Sequence, residues 1–356
     1  MEFLANGGSH IEKMIKKALS EGKKQVKITG DWLIERTVRI PSGFTVVLED
    51  CHLRMADNTF CNMFVNENCR TEKGKTINGT DRNIKIIGLG RAILDGGEYN
   101  GLSEKNSEKD GRPHICVNNL ILFTNVDGFE IKDLHLRNQR WWAMNFIYCR
   151  HGKIKDIDFC ANDTAILSDG KKVHGLRENA ECLVNNADGI DLRVGCHDIM
   201  IENITGFTQD DSVACTALYG KMEKDFAVEG LTSDLYNISI RNVNTESLHG
   251  NVRLLNQGGT KLYNILIDGV FDSSANSQHV VDSNRSWGRA VCIGSESPYG
   301  GRHSTKEETF NIAVRNVYSR AKNAVSVDGC VARLTLDNIN GFDCCESTLV
   351  NRGDID

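Results

Sequence analysis

Proline is nearly missing from this chain, with three residues in 356. No Pro-, Gly- or Ser-rich stretch and no shift in composition marks a linker. The length would allow up to three domains, but one long domain over residues 1–356 is the simpler expectation. The 13 cysteines contain no Cys-x-x-Cys pair, so the usual zinc frameworks are excluded. Their odd number and scatter do not suggest a disulfide framework either. Cys149, Cys160, Cys182 and Cys215 fall among apolar residues and read as free buried thiols in a reducing cytosol. No apolar run approaches the roughly 18 residues of a membrane helix. Met1 to Leu19 is interrupted by lysines and has no signal-type apolar core. A cytoplasmic protein without membrane contact is therefore expected. A basic excess is missing too: the net charge is −6, which argues against a nucleic-acid partner.

What is present is a repeat: apolar, any residue, Asn/Asp/Gly, apolar. It reads Ile86-Ile87-Gly88-Leu89, Ile131-Lys132-Asp133-Leu134, Ile154-Lys155-Asp156-Ile157 and Ile201-Glu202-Asn203-Ile204. It continues as Ile240-Arg241-Asn242-Val243, Ile267-Asp268-Gly269-Val270, Val314-Arg315-Asn316-Val317 and Leu336-Asp337-Asn338-Ile339. Successive first residues are 45, 23, 47, 39, 27, 47 and 22 apart. The shortest separations give the period, and 45 and 47 read as about two periods. The values 39 and the second 47 are expected to include loops. Self-similarity at this scale means a solenoid. Apolar residues alternate before each corner (Phe129, Ile131; Ile199, Ile201; Ile265, Ile267), so the units are short strands. The corner residues tolerate turn geometry that β-branched residues resist. The fold class expected is an all-β, single-domain right-handed parallel β-helix. A solenoid needs caps. Residues 8–22 supply a helix, with Ser9 as N-cap, Glu12 three residues on, and Ile11, Met14, Ile15, Ala18 and Leu19 on one face.

The chemistry concentrates in Asp188-Gly189-Ile190-Asp191 and Asp210-Asp211. Asp188 and Asp210 are 22 apart, one period. Residues one coil apart in a parallel solenoid sit about one strand spacing, ~4.8 Å, from each other. Asp188, Asp210 and Asp211 would thus form one carboxylate patch. Like charges this close raise each other's pKa, which suits a general acid beside a general base.

These residues resemble glycoside hydrolase family 28, the polygalacturonase-like enzymes. The family's Asn-Thr-Asp stands here as Asn186-Ala187-Asp188, its Asp-Asp as Asp210-Asp211, and part of its Gly-His-Gly as His249-Gly250. Ile93-Leu94-Asp95-Gly96-Gly97, Arg112-Pro113 and Leu136 to Trp142 also resemble its pattern, and the likeness runs from about Ile84 to Cys292. The order and coil spacing of the motifs carry the match more than any single motif does. The resemblance implies an inverting glycosidase in which Asp210 protonates the leaving oxygen and Asp188 and Asp211 activate water. His249 would support the acid. The family's Arg-Ile-Lys falls near Arg289-Ala290-Val291, where the arginine has a counterpart and the lysine has none. Asn145 stands where the family has a histidine. The aspartates thus match better than the residues that would hold a uronate.

Asn186, Arg253 and Arg289 are the candidate substrate contacts, and one of Trp141 and Trp142 could stack on a sugar. Segments 98–113, 219–233 and 276–302 break the repeat and read as loops walling a cleft, which suits exo action on short oligosaccharides. No cofactor or metal is called for, and the oligomeric state is open. Two other readings stay open. A β-helix lyase would use a basic residue, with Ca²⁺ held by the aspartates. A carbohydrate-binding β-helix would not be an enzyme at all.

Overall fold

A computed structural model describes residues 2–57, 59–97, 118–139, 142–161, 164–166, 172–174, 187–218, 224–247, 249–272, 288–295, 302–342 and 345–356. Two parallel sheets run its length, one of 11 strands and one of 10. Strands of one sheet alternate along the chain with strands of the other, and those inside each sheet pair with their counterparts in the coils before and after. This is the expected parallel β-helix. The long-strand sheet includes Val126–Arg137, Arg150–Cys160, His197–Thr208, Leu235–Ser247 and Leu262–Asp272.

The repeat is the cause of this stacking. Ile86, Ile131, Ile154, Ile201, Ile240, Ile267, Val314 and Leu336 pair one with the next, in register. The members from Ile131 to Val314 expose no surface. The corner residues Asp133, Asp156, Asn203, Asn242, Gly269, Asn316 and Asn338 all have left-handed φ, between 53° and 85°. Asn, Asp and Gly reach that region at lowest cost. Several also bond along the axis: Asn203 Nδ2 donates to Asp156 Oδ1 at 2.8 Å, and Asn338 Nδ2 to Asn316 Oδ1 at 2.8 Å. The expectation that separations of 45 and 47 span two periods is corrected here. Ile86 pairs directly with Ile131 and Ile154 with Ile201, whereas the pairing of Ile267 with Val314 agrees with the loop expected in the second 47. Every separation is one coil, and the excess is inserted loop.

A helix, α1 (Gly7–Ser20), lies at the N-terminal end and buries Ile11, Ile15 and Ala18. Met14 is half-buried. Leu19, expected on the same face, is exposed. The expected N-cap is also corrected: Asn6 occupies that position in left-handed geometry. The Glu35 carboxylate, from the first coil, does the capping. It accepts the Gly8 and Ser9 N–H groups, each at 2.9 Å, and the Ser9 hydroxyl at 2.6 Å. An anion at a helix N-terminus offsets the orphaned donors and the dipole there.

Five strands of the short-strand sheet carry the site: β1 (Met144–Ile147), β2 (Ile190–Arg193), β3 (Val213–Ala217), β4 (Gly250–Asn256) and β5 (Arg289–Gly294). Ile190, Leu192, Val213, Cys215, Val252, Leu254, Val291 and Ile293 enter the core. By alternation Asn145, Asp191, Ala214, Arg253 and Cys292 form one row on the outer face. All described cysteines are free thiols, with Cys149 and Cys215 buried and Cys160 half-buried. Cys182 lies outside the described residues. No described helix is long and apolar enough to cross a membrane.

Candidate active site

The site forms where the chain enters β2, β3, β4 and β5. Ile190 pairs with Val213, an offset of 23. The sequence spacing of 22 between Asp188 and Asp210 therefore misses the register by one residue. Asp188 aligns with Asp211, as the Gly189 N–H donating to the Asp211 carbonyl at 3.0 Å requires. Gly250 and Arg289, themselves paired, continue that column over the next two coils. Asp210 sits in the turn one residue earlier.

Small residues make this approach possible. A Cβ on Gly189 would stand 2.3 Å from the Ser212 carbonyl oxygen, and one on Gly250 would stand 3.1 Å from Asp211 Oδ1. Buried hydroxyls hold the turn. Thr208 and Ser247 donate to the Asp210 carbonyl at 2.7 and 2.9 Å. Ser247 Oγ in turn accepts the N–H groups of His249 and Gly250 at 3.0 and 2.9 Å. Ser212 links Thr208 to Thr245, each at 2.9 Å. The sequence reading did not single out these hydroxyl residues, because Ser and Thr before a strand look like ordinary turn residues.

Asp188, Asp191 and Asp211 are buried, with 5%, 1% and 4% of their surface exposed. Asp188 Oδ1, Asp191 Oδ2 and Asp211 Oδ1 accept no hydrogen bond from the described residues. Buried carboxylate oxygens without donors cost stability, so their retention points to function. Asp191 is a fourth carboxyl that the sequence reading left out of the patch. Strand alternation from Ile190 would have placed it on the outer face.

Cations divide the cluster. Arg253 Nη1 lies 3.6 Å from Asp211 Oδ2 and 3.1 Å from His249 Nδ1. His249 Nδ1 stands between two carboxylates, 3.6 Å from Asp210 Oδ1 and 3.5 Å from Asp211 Oδ1. Arg193 Nη1 is 3.6 Å from Asp191 Oδ1. Burial would raise the pKa of Asp211, but Arg253, His249 and Arg289 outweigh it and hold the carboxyl below its ordinary value. Asp210 is raised: burial and Asp211 outweigh the nearby His249 and Arg253. Burial, with Asp210, Asp191 and Asp211, pushes Asp188 well above the usual range. Burial does the same to Asp191, against the pull of Arg193, with Asp211 and Asp210 adding to it. Burial disfavours protonated His249, yet Asp210 and Asp211 prevail and raise it. Arg253, 3.1 Å from Nδ1, works against that rise.

Of the residues expected in the site, Asp188, Asp210, Asp211, His249, Arg253 and Arg289 come together, while Asn186 lies outside the described residues. Trp141 does too. Trp142 has the Arg193 guanidinium 4.4 Å above its ring, so that face is taken. Single donor atoms of Asp210, Asp211 and His249 lie within 4.8 Å of one another, a set that could hold a cation. Arg253, close to two of the three, already supplies positive charge there. Segment 98–113 lies outside the described residues, and of 276–302 only 288–295 and 302 are described. The described part of 219–233 places Phe226 and Val228 in an apolar cluster with Val65, Leu122, Ile147, Tyr148 and Val194. This layer covers the sheet on the N-terminal side of the aspartates.

The family model for glycosyl hydrolases family 28 matches residues 33–252, more than half of the chain. The chain belongs to that family and is a glycosidase. Among solved structures, a polygalacturonase from Erwinia carotovora ssp. carotovora is similar at TM-score 0.54 and 15% identity, over 99% of this chain and 96% of that one. A 1,3-α-1,4-β-D-galactose-4-sulfate-3,6-anhydro-D-galactose-2-sulfate 4 galactohydrolase is similar at TM-score 0.57 and 12% identity, over 99% and 89%. A tailspike protein of E. coli bacteriophage HK620, solved with a pentasaccharide, reaches 0.56 at 12% identity, over 98% and 61%. At these identities the three share the fold. No curated protein matches the sequence.

Proposed function

We propose that this glycosidase is an inverting, exo-acting hydrolase of pectin-derived or related oligosaccharides. The observation that carries the reading is the carboxyl cluster itself, in which His249 Nδ1 lies 3.6 Å from Asp210 and 3.5 Å from Asp211 while Arg253 Nη1 lies 3.6 Å from Asp211, surroundings that favour an acid at Asp210 and a carboxylate at Asp211. An inverting mechanism needs one of each. Asp210 donates its proton to the leaving oxygen as the glycosidic bond breaks. Asp211 takes a proton from the water that attacks the anomeric carbon on the opposite face. Asp188, aligned with Asp211 and pushed towards its protonated form, holds that water by hydrogen bonding. His249 bridges acid and base. Arg289, at the end of the column, is the cation best placed for an anionic group on the sugar, and Asn186 contacts the sugar beside Asp188.

What supports exo action is the layer of Phe226 and Val228, packed on the coils that precede the aspartates. Free thiols support a cytoplasmic enzyme that meets imported oligosaccharides. The test is a panel of pectic oligosaccharides, with proton NMR of the first product and chain-length analysis over time. Terminal release of one short product with inverted anomeric configuration supports the reading. Retained configuration, or random internal cuts, contradicts it. A product with a new unsaturated ring would point to a lyase.

A further inference from the structure

The geometry points to Arg253 as a positioning residue that divides acid from base work between Asp210 and Asp211, by holding one oxygen of Asp211 and Nδ1 of His249 at once. This inference rests on the roles given above to the two aspartates.

Arg253 stands on the outer face of β4, one coil beyond Ala214 and two beyond Asp191. Its side chain is 5% exposed, so its charge acts at short range and with little screening. The carboxyls around Asp211 come from its own turn and the preceding coil. Asp188 and Asp191 belong to the preceding coil, and Asp210 is its neighbour in sequence. The positive groups come from the following coils: His249 and Arg253 of the next one and Arg289 of the one after. Cys292, beside Arg253 on β5, is a buried thiol pushed up to about 11, chiefly by burial, and adds no charge near neutrality. Arg253 is first among the cations that hold Asp211 down. It lies 3.6 Å from Oδ2, while Oδ1, 3.5 Å from His249 Nδ1, accepts no hydrogen bond from the described residues. The second contact, at His249 Nδ1, opposes the rise that Asp210 and Asp211 give the imidazole, and the arginine's own charge does not titrate. Arg253 is thus engaged with protein groups, and its part in substrate contact is secondary.

The sign of the pH effect follows. A base must be ionised to work, so activity on the acid side falls as Asp211 takes up a proton. Removing Arg253 raises the pKa of Asp211 and moves that limb to higher pH. An opposite charge this close shifts a carboxyl by about one unit or more. The experiment is the pH profile of kcat/KM for the native protein, Arg253→Met and Arg253→Lys, with Asp211→Asn as a control. The expected result is an acid limb about one unit higher in Arg253→Met and near-native in Arg253→Lys, with most of the loss in kcat. An acid limb that stays in place while KM alone rises would overturn the proposal and make Arg253 a substrate contact. If Arg253→Met does not fold, Arg253→Lys still decides, since lysine keeps the charge and loses the fork. A Lys variant that lost activity equally at all pH values would also overturn it. Full activity in Asp211→Asn would instead remove the base assignment beneath it.

Discussion

Asp188 carries a consequence for stability as well as for catalysis. Its pKa is raised on folding, so its favourable contribution is complete below the unfolded value, near 4, and is lost as pH rises through the folded value. Asp188→Asn removes that loss. The variant should melt a few degrees higher than the native protein at neutral pH and show no gain at pH 4, while losing activity. A neutral-pH melting temperature at or below native would contradict the burial and repulsion argued for the cluster. Gly250 gives a complementary case. Its Cβ would stand 3.1 Å from Asp211 Oδ1 without a backbone clash, so Gly250→Ala should lower kcat at least about tenfold through displacement of that carboxylate. Its urea midpoint should remain near native. The aspartates stood out in the sequence as two acidic segments one repeat period apart, and His249 through the family resemblance. The Arg253 contacts were not, since an outward arginine on a strand reads the same whether it meets solvent, substrate or a neighbouring carboxylate.

Within the coils, the corner residues carry the fold. Asn242 holds φ 53° and its Nδ2 donates to Asn203 Oδ1 at 3.2 Å. Asn242→Ala should cost about 1–2 kcal/mol from the strained backbone and the lost bond, and Asn242→Gly less, since glycine keeps the conformation. Urea unfolding of the two variants separates the contributions; equal losses would mean that the bond alone matters. The sequence announced these corners through composition. It did not announce coil length. The in-register pairs Ile86–Ile131 and Ile154–Ile201 show that one coil can absorb 45 or 47 residues, because an insertion in a turn leaves the strands' hydrogen bonding untouched. The same limit explains the one-residue error at Asp188, where an offset of 23 is set by the β2–β3 pairing and cannot be read from the acidic residues. At α1, the cap comes from Glu35, 26 residues away from Ser9, and no local signal marks it.

Over the whole molecule, two sheets share one core from α1 to the last coils, and the candidate site lies along one line on the edge where the chain enters the short strands. The surroundings of that line differ on its two sides, with Phe226 and Val228 packed on the preceding coils and the outward row Ala214, Arg253 and Cys292 leading to the following ones. Replacing Phe226 and Val228 with Ala should open the covered side. Product analysis is expected to show longer fragments appearing beside the terminal product, and an unchanged product profile would argue against a closed end at this place. The central claim, that two adjacent aspartates divide acid from base, is tested most directly by Asp210→Asn and Asp211→Asn on paired substrates with poor and good leaving groups. A good leaving group departs without protonation, so the account predicts that Asp210→Asn recovers much of its activity on the activated substrate while Asp211→Asn stays inactive on both. Recovery by Asp211→Asn instead, or equal loss by both variants on both substrates, would contradict it.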